Sequence, residues 1–416
     1  MELIIDRTEE AVWSAVREEK QIVEVDMRRA GALAAGTIVD GVVTELMPSM
    51  NAAFVHVGRS KAGLLHLEDL AAFRADASIK EGAKIQDWLR PGECVRVQVR
   101  REEVESKGPK LSTILKFNGR GIVYIANSEE IGVSKRLASE SGRAAWRETL
   151  KTWAAPGEGF ILRTEAAAMT ETEVKKEADR LRKTAAYVHE DARADAPAVV
   201  SPSASFLEQK LTDTAVSLLN RVIVNHPADA AAAEDFLSRF GARNVTVEMI
   251  NQGSTFAAEN VCAELKHVFT PKVPLAGGGS IMIECTEALT AIDVNMGGFK
   301  KENSRKQAIQ KANETAILEI ARQLRLRDIG GLIVIDLIDM ADEVDKENVL
   351  QLLKKKLQDD RKKTNVGGIT QFGLVELTRK RTGSSWLEEA KQLCSLCNGE
   401  GNIIKESIIP GFKFTD

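Results

Sequence analysis

Leu289-Thr-Ala-Ile-Asp-Val-Asn295 and Gly330-Gly-Leu-Ile-Val-Ile-Asp-Leu-Ile338 are two apolar, β-rich runs separated by a helix-patterned stretch from Glu302 to Arg327. Strand, helix, strand predicts a right-handed crossover between parallel strands that pair or lie close in one sheet. Each run carries an aspartate near its carboxyl end, Asp293 and Asp336. Open α/β sheets place their ligands at that end, so the two acids are expected to meet there. Carboxylates a few ångströms apart repel unless a cation or a proton lies between them. Magnesium fits, because it takes oxygen ligands and often needs only one or two protein carboxylates. Asn295 follows Asp293 by two residues and shares its strand face. An amide there can steady a metal-bound carboxylate or water. Either acid alone reads as a solvated loop start; as a pair on consecutive crossover strands they read equally as metal ligands.

Working outward, 416 residues are too many for one core and predict several domains. Hydrophobic residues at 44% and charged residues at 28% describe a folded, soluble chain. No apolar run reaches the ~18 residues of a membrane span. Met1-Glu-Leu-Ile-Ile-Asp-Arg7 lacks the basic start and long apolar core of a signal peptide. Five cysteines, one close pair and three singletons, form no disulfide framework and fit a reducing cytoplasm. A net charge of −4 excludes a uniformly basic nucleic-acid binder, so contact with a polyanion must be local.

Residues 2–6 and 21–27 read as strands joined by a turn and an acidic, helix-compatible stretch. From Gly36 come short β-rich runs at Thr37–Leu46, Ala53–Val57, Gly63–Leu67, Glu93–Arg101 and Leu111–Phe117. Five short strands in about eighty residues predict a small barrel of OB type. Phe54 and His56 share a strand face, and Lys61, Arg96, Arg100, Lys107 and Lys110 add charge nearby in sequence. Such barrels hold single strands by aromatic stacking and cationic backbone contact. Pattern alone leaves Phe54 equally a core residue.

Residues 118–204 form a further module, with a strand at Ile122–Ala126 and helices at Glu140–Trp153 and Thr170–Ala194. Its end, Ala192 to Ser205, reads as a linker rich in Pro, Ala and Ser. Arg163-Thr164 ends a strand with a donor fork and a hydroxyl, which suits a terminal phosphate. Near the carboxyl terminus, Cys394-Ser-Leu-Cys397 and the glycines after it form half of a zinc knuckle. A redox pair would open a helix after a strand; this one follows the helix-like Trp386–Leu393, which favours zinc. With no second pair in the sequence, the missing ligands are expected from another copy of the chain.

These pieces together resemble the ribonuclease E/G family, in its ribonuclease G type, over nearly the whole chain. The resemblance is carried by Met50-Asn-Ala-Ala-Phe-Val55, Val133-Ser-Lys-Arg136, Ile161-Leu-Arg-Thr164, Ala291-Ile-Asp-Val-Asn295, the block Ile320–Asp336, Gln371-Phe-Gly-Leu374 and the cysteine pair. It implies a multidomain α/β and β architecture. An RNase H-like domain split between 1–35 and 205–268 would hold an inserted S1-type OB barrel at 36–117 and a 5′-sensor at 118–204. A DNase I-like catalytic domain at 269–390, a zinc link at 391–402 and a short tail at 403–416 would follow.

The resemblance further implies a magnesium-dependent endoribonuclease for single-stranded RNA, active in rRNA processing and mRNA decay and preferring a 5′-monophosphate. Asp293 and Asp336 would ligate magnesium, and Asn295 would orient a ligand. Gly119, Val123, Arg163, Thr164 and Lys363 would hold the 5′ phosphate. Phe54 and Lys107 would touch RNA, and Cys394 and Cys397 would share zinc between protomers. Hydrolysis needs no Ser, His or Cys nucleophile, which suits a chain with five histidines.

Several positions depart from the family pattern. Leu64 stands where a second barrel aromatic is usual, and Lys363 where an arginine is usual. Met296-Gly-Gly-Phe299 replaces a small-residue and Gly-Lys/Arg pattern, and Lys311-Ala-Asn-Glu-Thr-Ala316 alters a helix segment. The chain ends at Asp416 without the family's small C-terminal domain, so a zinc-linked homodimer is expected rather than a tetramer. The rival expectation is a catalytically weak RNA-binding protein of the same fold.

Overall fold

Three antiparallel strands open the chain: β1 (Glu2–Arg7), β2 (Ala11–Glu18) and β3 (Gln21–Arg29). The acidic stretch expected to be helix-compatible is therefore largely β2. The reason is local and tertiary together. Glu19 and Lys20 take positive φ in a two-residue turn, and Val12 and Val16 of β2 go into the core. The coordinates are a computed structural model that describes residues 1–75, 82–103, 107–137, 139–188, 195–214, 216–240, 242, 244–297, 304–358, 360–381 and 385–391. They fall into two units, Met1–Lys266 and His267–Asp416.

In the first unit, β4 (Ile38–Met47), β5 (Ala52–His56), β6 (Gly63–His66), β7 (Cys94–Arg101) and β8 (Lys110–Ser112) follow, with the short helix α1 (Ala71–Ala75) between β6 and β7. Because β4 pairs with both β5 and β7, the order β4-β5-β6-β8-β7 closes into a barrel, as an OB fold requires. Val43, Val55, Leu65, Val97 and Leu111 fill its interior.

The run expected as one strand over Leu111–Phe117 is two. Its first part is β8; its second, β9 (Leu115–Asn118), leaves the barrel for a different sheet. That sheet has the order β11-β12-β10-β9, with β10 (Ile122–Ala126), β11 (Ile131–Val133) and β12 (Glu158–Leu162). Between β11 and β12 comes α2 (Glu140–Trp153), over the residues expected. After β12, α3 (Glu171–Ala186) starts on a capping box in which Thr170 and Glu173 bond each other's backbone N–H. The Pro/Ala/Ser segment expected as a linker contains β13 (Ala198–Ser201), which pairs antiparallel with β4. An unpaired barrel edge is a template for such pairing, and composition does not report it.

The chain then returns to its starting sheet. After α4 (Phe206–Asp213), β14 (Arg221–Val224), α5 (Pro227–Arg239) and β15 (Thr246–Met249) extend it to the order β15-β14-β1-β2-β3, with β1, β14 and β15 parallel. Two short helices, α6 (Thr255–Ala258) and α7 (Val261–Leu265), complete the unit.

The second unit is one six-stranded sheet in the order β16-β17-β18-β19-β21-β20. Its strands are β16 (Lys272–Pro274), β17 (Ser280–Cys285), β18 (Leu289–Asn295), β19 (Gly331–Asp336), β20 (Thr364–Ile369) and β21 (Leu374–Arg379). The predicted crossover is present: α8 (Arg305–Leu326) joins β18 to β19, and these two strands pair in parallel. Ser304 caps α8 by accepting the Gln307 N–H, and Ala312, Ala316, Ile320 and Leu324 form its buried stripe. With α9 (Glu343–Leu357), it covers one face of the sheet. The helix α10 (Trp386–Glu389) ends the described chain, with Trp386 donating its indole N–H to the Leu326 carbonyl at 2.9 Å. No helix among the described residues is long and apolar enough to cross a membrane.

Candidate active site

Along β18, Ile292 and Val294 are buried, while Ala291, Asp293 and Asn295 are exposed. Strand alternation thus anchors every second residue against the helices and presents the others on the open face. The same alternation on β19 buries Ile333 and Ile335 and leaves Asp336 exposed at the strand's last position. Asp293 and Asp336 are direct register partners across the parallel pair. Adjacent strands lie about 4.8 Å apart, so the two carboxylates share one small region of surface. Asn295 donates from Nδ2 to Oδ2 of Asp293 at 2.6 Å. The three side chains expected to meet do so, on the open sheet face near the carboxyl ends of the two strands.

Two buried polar residues outside the expected set hold this pair in place. Asn313 of α8 is fully buried; it donates to the Ile338 carbonyl at 2.8 Å and accepts the Ile338 N–H at 3.0 Å. That clamp fixes the chain two residues beyond Asp336. Arg379 of β21, 4% exposed, bonds Asp360, Asp328 and the Ile329 carbonyl, which anchors the approach to β19. Burial pulls its pKa down, but hydrogen bonds and charge from Asp360 and Asp328 outweigh it and raise it. Asn313 has a sequence signal, an amide inside an apolar helix stripe. Arg379 has none, because its partners are distant in sequence.

Among the expected phosphate-pocket residues of the first unit, Gly119 and Arg163 meet directly. The Arg163 guanidinium donates to the Gly119 carbonyl and to Asp213, both at 2.8 Å. Thr164 and Ser134 share a hydroxyl–hydroxyl bond of 2.9 Å. Val123 is half-buried in β10, paired with Ile161 and Asn118. Gly119 admits no side chain, since a Cβ would lie 2.6 Å from Cδ of Glu177. Asp213 is an addition to the expected set; it lies 50 residues from Arg163 and no local pattern links them. Lys363 is exposed immediately before β20, in the second unit.

On the barrel, Phe54 is half-exposed between buried Ala53 and Val55, so it stands outside the core. Its register partner on β6 is Leu64, which in turn pairs with Lys110 on β8. Lys107 is exposed. Not every nearby cation is free for a ligand: Arg96 makes two 2.7 Å bonds to the fully buried Asp40, and Lys110 lies 3.0 Å from Asp69. Cys394 and Cys397, expected to hold zinc, lie outside the described residues, as do Gly298 and Phe299.

Comparison with known proteins adds independent support. Residues 116–382 match the profile of the Ribonuclease E/G family, and residues 32–114 match that of the S1 RNA binding domain. Ribonuclease E of Synechocystis sp. is 33% identical over 92% of this chain and 57% of its own length. Ribonuclease G of Haemophilus influenzae is 30% identical over 97% of this chain and 84% of its own. Ribonuclease G of Escherichia coli K12 is 32% identical over 88% and 77% respectively. The chain therefore spans just over half the length of the cyanobacterial ribonucleases E that it matches.

Proposed function

The chain belongs to the ribonuclease E/G family, and on that premise we propose that it is an endoribonuclease hydrolysing single-stranded RNA with magnesium. The observation that carries this reading is the cross-strand pair Asp293–Asp336 with Asn295 bonded to Asp293. Two carboxylates suit magnesium, whose remaining positions go to water and substrate phosphate oxygens. When bound, the ion would offset charge growing on the phosphate and acidify the attacking water. Asp293 and Asp336 would hold it. Asn295, by donating to Oδ2, fixes the rotation of the Asp293 carboxylate. In-line attack by water on phosphorus leaves a 5′-phosphate and a 3′-hydroxyl.

The other parts take supporting roles in the same proposal. The barrel would receive single-stranded RNA, with Phe54 stacking on a base and Lys107 near the backbone. Arg163, Thr164, Gly119 and Val123 would form the pocket for a 5′-monophosphate, and Lys363 would offer a cation to RNA phosphate. The Gly119 carbonyl and Asp213 keep the Arg163 fork in a fixed orientation. Cys394 and Cys397 would join two protomers through zinc. The sheet shared by residues 1–29 and 221–249 is read as the split RNase H-like domain, and the second unit as DNase I-like. The cellular work would be rRNA processing and mRNA decay in the cytoplasm.

A cleavage assay with one short oligoribonucleotide, carrying either a 5′-monophosphate or a 5′-hydroxyl, tests the two sites at once. The expected result is magnesium-dependent cleavage of both, faster for the monophosphate, with Arg163→Ala levelling the two rates. Binding without cleavage of either substrate would instead establish the chain as an RNA-binding protein of this fold.

A further inference from the structure

Arg120 lies between the two glycines of the Gly119–Gly121 loop and is 8% exposed. Its backbone N–H is satisfied by Glu177 at 2.8 Å, but its guanidinium is not. The Nε is buried without a hydrogen-bond partner, and the nearest carboxylate, Glu165, stops at 3.9 Å, beyond hydrogen-bonding distance. The Phe240 ring lies 5.8 Å from the guanidinium carbon. A guanidinium carries five N–H donors and cannot shed its charge, so burial with no acceptor is costly. The missing acceptor has a place to sit. Arg120 lines a cavity of about 520 Å³ together with Lys176, Arg180, Arg239, Phe240 and two glutamates.

Charge in that cavity favours an anion. Of its glutamates, Glu177 is committed to the backbone N–H groups of Arg120 and Gly121, and Glu173 to capping α3 at Thr170. Arg239 is held by Glu208 and Asp235. Lys176 makes no hydrogen bond or ion pair among the described residues, and Arg180 has only Glu177 at 3.7 Å. A buried planar fork, a flexible ammonium and a second arginine around one cavity match the oxygens of a phosphate group. We propose that this cavity, whose lining does not include Arg163, binds a phosphate group from an RNA backbone or from a free nucleotide. Such binding requires none of the nuclease chemistry.

Calorimetric titration of the full chain carrying Arg163→Ala, which removes the other candidate phosphate ligand of that unit, tests it with inorganic phosphate as probe. The expected result is phosphate binding that Lys176→Ala with Arg180→Ala weakens about tenfold or more, as for loss of charged hydrogen bonds. Arg120→Met should abolish binding while raising the melting temperature of the unliganded chain, because a buried guanidinium whose Nε lacks a hydrogen-bond partner is gone. Competition by a 5′-hydroxyl oligoribonucleotide would assign the site to backbone phosphate, and competition by AMP alone to a free nucleotide. Absence of phosphate binding in the Arg163→Ala chain, or binding unchanged by Lys176→Ala with Arg180→Ala, would overturn the proposal.

Discussion

Asp293 and Asp336 owe their meeting to strand alternation and register, both of which are short-range properties of sequence. Ile292, Val294, Ile333 and Ile335 turn inward, and the aspartates are left on the open face. That is why this pair is legible in the amino-acid pattern itself. Asn295 is legible for the same reason, and its bond to Asp293 gives it a testable weight. Asn295→Ala should lower magnesium affinity or turnover by about 10–100-fold, as loss of a ligand-orienting partner does. An unchanged magnesium titration would remove Asn295 from the site. Asp213 and Arg379 are not legible in this way, since their partners come from far along the chain.

Glu158 offers a second residue-level test, this time of stability. Burial alone would raise its carboxyl, but Arg182, the Ala155 N–H and Tyr124 hold it down at about 2, from an ordinary 4.5. The pKa is lower in the folded state, so the stabilisation is full above about 4.5 and is lost as pH falls toward 2. In thermal melts across that window, Glu158→Gln should show a shallower pH dependence than wild type. Identical slopes would mean that Glu158 contributes nothing to acid sensitivity. The Tyr124 hydroxyl, desolvated and bonded to the same carboxylate, is pushed well above its usual value and stays neutral throughout.

At the scale of elements, helix α8 is the clearest success of periodicity, because a buried stripe at helical spacing survives any tertiary context. Its Asn313 is the exception within the stripe, and that exception ties the helix to Ile338. Asn313→Leu should destabilise the second unit by about 1–3 kcal/mol, the cost of stranding a buried backbone N–H and C=O. It should also slow cleavage more than binding, since it loosens the chain beside Asp336. Equal denaturant midpoints for variant and wild type would contradict the clamp. Where periodicity misleads, tertiary pairing is the cause. Strand β13 hides in a Pro/Ala/Ser segment because β4 has a free edge, and the β8–β9 break is set by two sheets competing for one run.

For the whole molecule, the order of modules is readable because each has its own local signature: barrel strands, helix-rich insert, crossover with acids. How the first sheet is completed by residues 221–249 is not readable from pattern, since parallel partners leave no short-range trace. The barrel's place in RNA binding is testable through Phe54, which stands outside the core. Phe54→Ala should weaken single-stranded RNA binding by about 1–3 kcal/mol, the worth of one stacked base. Unchanged affinity by fluorescence anisotropy would take the ring out of the RNA path. For the cysteine pair, native mass spectrometry should find one zinc per two chains, and one zinc per monomer would refute the shared link.

On the proposed reading, one cross-strand pair of carboxylates, Asp293 and Asp336, carries the chemistry. The most direct measurement compares wild type with Asp293→Asn and Asp336→Asn on a 5′-monophosphorylated single-stranded RNA in magnesium, following cleavage and binding in parallel. Both variants are predicted to lose cleavage and keep RNA affinity. Cleavage by either variant at the wild-type rate would contradict the claim.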